Sequence, residues 1–76
     1  MMRTMPFRVE LSDPQLVAEL RERMALLGDC LVGDASDGGF LVVHRRADSS
    51  AEARQELTFF LRAWEARHPG VQVALN

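Results

Sequence analysis

The chain predicts an α+β fold: a ferredoxin-like split β-α-β sandwich in the order β-α-β-β-α-β, with a four-stranded antiparallel sheet and both helices on one face. Three observations carry this prediction. Apolar and polar residues alternate near both ends of the chain, two segments repeat apolar residues at helical spacing, and a glycine-rich turn joins two short apolar runs between those segments. Short connections and right-handed crossovers leave few other ways to pack such a string, and the strand order they favour is 4-1-3-2.

Each element has its own signal. Met5, Phe7, Val9 and Leu11 alternate with Pro6, Arg8 and Glu10, the period of a half-buried strand. Ser12-Asp13-Pro14-Gln15 opens a helix over 14–27: proline suits the first turn, and Ser12 or Asp13 caps the free amides. Leu16, Val17, Leu20, Met24 and Leu27 form its buried stripe, and Gly28 is placed for a left-handed stop. Cys30-Leu31-Val32 and Phe40-Leu41-Val42-Val43-His44 flank Asp34-Ala35-Ser36-Asp37-Gly38-Gly39, so they read as a hairpin. Ser49 and Glu52 have capping-box spacing at the start of a helix over 50–67. Its buried face carries Ala53, Leu57, Phe60, Leu61 and Trp64, whereas Phe59 lies well off that face. Arg67 and His68 suit its last turn, Pro69-Gly70 ends it, and Val71, Val73 and Leu75 alternate in a last strand.

Residues 1–76 are expected to form one domain, since no linker, repeat or low-complexity tract divides them. At this size roughly three-fifths of the unfolded surface is buried on folding, enough for a thin core that a partner subunit would help. Nine basic against eleven acidic residues give a net charge of −2, which offers no basic field to nucleic acid or anionic lipid. All nine basic residues are arginine, and there is no tyrosine. Schiff-base chemistry through a lysine, a Walker-type phosphate lysine and a phenolic acid are therefore excluded. Met1 to Met5 is followed by Arg8 and Glu10 rather than an apolar run, and no stretch approaches the ~18 apolar residues of a membrane span. The expected location is the cytoplasm, in keeping with the unpaired thiol of Cys30.

Cys30 and His44 are the most reactive pair available. If hairpin partners sum to 74, the two face each other across the strands and form a nucleophile–base couple or half a metal site. The competing reading is a thiol packed as a small hydrophobe and a histidine solvated at a strand end. No Cys-x-x-Cys or His-x-x-x-His spacing exists, and no metal or cofactor is expected. Asp29, Asp34 and Asp37 read as solvated turn formers. Gly38-Gly39 leads into a strand rather than a helix N-terminus, so it is no phosphate cradle. No catalytic residue is assigned, and an enzyme is disfavoured.

Two family resemblances bear on function. Gly39-Phe40-Leu41-Val42-Val43 resembles the strand-three signature of RNA-recognition motifs at Gly-Phe. That likeness implies base stacking, yet the positions for further aromatics hold Val42 and Arg45, and the first strand offers Arg8. The element order and Asp13-Pro14-Gln15-Leu16 are loosely similar to ACT-type regulatory domains, whose first helix follows an Asp-x-Pro-Gly-Leu-like turn. This likeness implies small-molecule sensing near that turn, although Gln15 stands where the ligand-admitting glycine belongs.

The sheet hairpin is apolar on both faces. Cys30, Val32, Phe40 and Val42 are assigned to the helix side, because cysteine and phenylalanine favour burial while Arg45 favours water; the alternative is the opposite facing, which places Phe40 and Val42 in the seam instead. Leu31, Leu41 and Val43 then share the outer face with Arg8, Glu10 and Gln72. The expected function is a non-enzymatic interaction or oligomerisation module. Its interface is Arg8, Glu10, Leu31, Leu41 and Val43, with Arg8 and Glu10 cross-pairing around a two-fold axis. The partner is a second copy or another protein; a small molecule comes second, nucleic acid is disfavoured, and no membrane is involved.

Overall fold

A computed structural model describes residues 6–76 of the chain. The elements run β1 (Phe7–Leu11), a 3₁₀ turn (Pro14–Leu16), α1 (Val17–Ala25), β2 (Cys30–Val32), β3 (Gly39–His44), α2 (Ser50–Ala66) and β4 (Val73–Leu75). Every neighbouring strand pair is antiparallel, and the sheet order is β2-β3-β1-β4. Met5, expected to begin the first strand, lies outside the described residues.

Local chemistry explains most boundaries. Asp13 caps the first helical turn by accepting from the Gln15 amide at 3.0 Å, while the Ser12 hydroxyl accepts from the Gln72 amide and ties β1 to the approach of β4. The helix expected over 14–27 begins as a 3₁₀ turn and keeps α geometry only over Val17–Ala25. Its end differs from expectation too. Gly28 has no positive φ; the chain leaves α1 through tightened bonds from the Leu26 and Leu27 amides to Arg23 and Met24 carbonyls. At α2 the Ser49 hydroxyl accepts from the Glu52 amide at 3.1 Å, while the Glu52 carboxylate accepts from the Asp48 amide, one residue earlier than in a reciprocal capping box. The Val71 amide closes a turn on the His68 carbonyl, which shortens the last strand to three residues.

The hairpin tip is a two-residue turn. Asp37 and Gly38 both have positive φ, and Ser36 and Gly39 exchange backbone bonds of 2.8 and 3.0 Å around them, the Asp-Gly geometry that matches strand twist. Gly39, without a positive φ, is required for a different reason: a Cβ there would collide with the Val9 carbonyl oxygen on β1.

One core fills the space between sheet and helices. Val9, Phe40, Val42, Leu20, Met24 and Leu61 have no exposed surface, and Phe7, Leu11, Cys30, Val17, Ala53, Leu57, Trp64, Val73 and Leu75 complete the cluster. Both helices contribute to it, so both cover the same sheet face. Among the described residues, no helix is long and apolar enough to cross a membrane.

Candidate functional site

Cys30 and His44 are direct partners across β2 and β3, with Leu31 opposite Val43. The register is the one in which partner numbers sum to 74. His44 is not solvated at its strand end, as the competing reading had it; it is 6% exposed. The difference comes from Glu56 on α2. His44 Nε2 donates to Glu56 Oε1 at 2.7 Å, and Nδ1 accepts the Arg46 amide at 3.2 Å. A half-exposed carboxylate thus satisfies an imidazole that would otherwise be costly to bury. Glu56 was absent from the sequence-derived site. Its signal was its place three residues after Ala53 and four before Phe60, on the flank of the buried stripe.

This arrangement limits the chemistry of the couple. Both ring nitrogens are engaged elsewhere, and no hydrogen bond joins the thiol to the imidazole. Burial, then the negative charges of Asp29 and Glu56, push the Cys30 thiol up from its ordinary range, so it stays protonated and weakly nucleophilic. A crevice of about 190 Å³ opens beside the pair, lined by Leu27, Asp29, His44, Glu56, Leu57 and Phe60. Among the described residues, no three His, Cys, Asp or Glu side chains converge to hold a metal ion.

The outer sheet face carries the expected interface residues. Arg8 is paired with Leu41, Glu10 with Gly39 and Ala74, and Leu31 with Val43, so all five side chains project away from the core. Leu31 is 53% exposed, Leu41 46%, and Val43 is half-buried between them. The charged residues meet within one chain: Arg8 Nε donates to Glu10 Oε2 at 3.0 Å, and Arg8 Nη2 donates to the Ser36 carbonyl at 2.8 Å. Arg8 therefore ties the hairpin tip to β1. Phe59, off the buried face of α2, is 79% exposed and lines a shallow depression with Glu52, Gln55 and Glu56.

The two sheet edges are treated differently. Along β4, the Val73 amide donates to Glu65 Oε2, the Val73 carbonyl accepts from Arg62 Nη2, and the Leu75 carbonyl accepts from Arg54 Nη1. Three α2 side chains thus occupy three of the four backbone groups that Val73 and Leu75 turn toward a further strand. Sequence reading missed this role because charged helix residues look alike until the strand beside them is known.

Fold and surface define a small α+β two-layer domain with a buried histidine–carboxylate pair and a mixed apolar and charged outer face. Comparison with protein-family models, curated proteins and solved structures finds no match to this chain.

Proposed function

We propose that this chain is a non-enzymatic interaction module of the ferredoxin-like split β-α-β class, which pairs with a second copy through its outer sheet face. The class reading is supported by the strand order, which read from the other edge is 4-1-3-2. One observation carries the functional reading: Leu31, Leu41 and Val43 adjoin on β2 and β3, and the two leucines remain about half exposed. Full burial of such a side chain is worth ~1.5–3 kcal/mol relative to exposure. The occupied β4 edge argues against growth of the sheet at that side. Arg8 and Glu10, already paired to each other, form a polar rim and contribute little affinity. The saturated bonding of His44 and the protonated thiol of Cys30 argue against catalysis at that pair. An unpaired cysteine supports action in the cytoplasm.

Light scattering coupled to gel filtration tests the proposal. The wild-type chain is expected to elute as a dimer, and Val43→Glu as a folded monomer with an unchanged circular dichroism spectrum. A monomeric wild type, or a Val43→Glu variant that still dimerises, would refute the outer-face seam.

A further inference from the structure

On the helix layer, a second surface combines features that have no role in the reading above. Of the eight arginines among the described residues, six have side-chain bonds: Arg8, Arg21, Arg45, Arg46, Arg54 and Arg62. The other two, Arg23 on α1 and Arg67 just after α2, have none with the described residues, and both line one groove with Phe60, Ala63 and Trp64. Trp64 is only 5% exposed, and its Nε1 is the single buried side-chain polar atom without a partner among the described residues.

Charges nearby do not explain this. Glu19, one turn before Arg23, is committed to His68 Nε2 at 2.9 Å. Glu65, two residues before Arg67, accepts from the Val73 amide at 2.6 Å and pairs with Arg62. His68 stacks on Trp64, with ring centroids 3.9 Å apart, and donates from Nδ1 to the Trp64 carbonyl. The indole is thereby held in place as one wall of the groove. By contrast, the larger depression along β4 is lined by Arg62 and Glu65, whose charges already satisfy each other.

We propose that this groove binds a small carboxylic acid carrying one planar apolar ring. Two guanidinium forks match the planar, bidentate geometry of a carboxylate, and Phe60 and Trp64 supply an apolar surface for the ring. The volume of about 270 Å³ lies at the lower limit of ligand pockets, which suits a single-ring acid rather than a nucleotide. A bare oxyanion would leave the aromatic walls uncovered. The groove lies across the sheet from Leu31, Leu41 and Val43, so it stands or falls independently of self-association.

The chain contains one tryptophan, so its indole N–H gives a single resonance that reports directly on the groove. Benzoate titrated into ¹⁵N-labelled protein is expected to shift that resonance saturably. Benzamide, the neutral isostere, and inorganic phosphate should each bind at least about fivefold more weakly. Arg23→Gln and Arg67→Gln, both at exposed positions, should each weaken benzoate by about fivefold or more while leaving the rest of the spectrum dispersed. The proposal is overturned if benzoate gives no saturable shift, if benzamide or phosphate binds as well, or if both arginine variants bind like wild type.

Discussion

The two faces of the sheet are built from alternate residues of the same strands, yet they have opposite fates. On the inner face Val9, Phe40 and Val42 are wholly buried; on the outer face Arg8, Leu41 and Val43 occupy the neighbouring positions of the same ladder. Along β2 and β3 the two faces are almost equally apolar, so hydrophobicity alone does not separate them. What separates them is the central strand, which places Arg8 and Glu10 outward and Phe7, Val9 and Leu11 inward. A single polar alternation on β1 therefore sets the orientation of the whole sheet, because a one-residue slip would bury both charges.

The largest expected effect comes from truncating neighbours on opposite faces. Phe40→Ala should cost about 3–5 kcal/mol in urea denaturation, the transfer and cavity terms of a fully buried aromatic residue. Leu41→Ala, one residue along β3, should cost under about 1 kcal/mol when measured on the monomer, since half its surface already meets water. Equal losses at the two positions would mean that the outer face is covered within the folded chain itself.

A smaller effect probes His44, the only buried polar residue of the inner face among the described residues. Glu56→Ala removes the acceptor for His44 Nε2–H and should cost about 1–3 kcal/mol, whereas Glu56→Gln retains an acceptor and should recover most of that loss. Matching stabilities for Glu56→Ala and a substitution at exposed Gln55 would show that the imidazole finds another partner.

The smallest effect concerns pH. The folded thiol of Cys30 holds its proton more tightly than the unfolded one. Above the unfolded thiol's pKa of about 8.5 the unfolded chain loses that proton while the native state keeps it, so stability falls as pH rises, by at most about 1.4 kcal/mol per pH unit. Without lysine or tyrosine, few other groups titrate in this window. Denaturation curves between pH 7 and 10 should show the decline in wild type and lose it in Cys30→Ala. A decline that persists in Cys30→Ala would assign it to another group.

The parts legible in the sequence are those that one or two adjacent elements determine. Period two in β1 and helical spacing in α2 announce their own faces. The Cys30–His44 register does not follow from the turn alone: the tip pairs Ser36 with Gly39, and one extra residue on the β2 side, between Gly33 and Ser36, shifts the ladder to pair Cys30 with His44. Ser49 reads as a cap because its bond spans three residues. The end of α1 was less legible. Gly28 satisfies the pattern for a left-handed stop, but the helix gives way earlier, at Leu26, where tighter turns carry the chain toward β2.

Placement of separate elements against one another is what the sequence alone did not decide. His44 is buried because α2 delivers Glu56 to it, twelve residues on; nothing local to β3 foretells that acceptor. The β4 edge is covered because Arg54, Arg62 and Glu65 happen to lie over it, and Arg23 and Arg67 line one groove only because α1 and α2 share one core. Strand and helix periodicity arise from backbone geometry and are written residue by residue. The meeting of distant side chains depends on packing the elements around one core, where the balance of burial and bond satisfaction is struck for the chain as a whole.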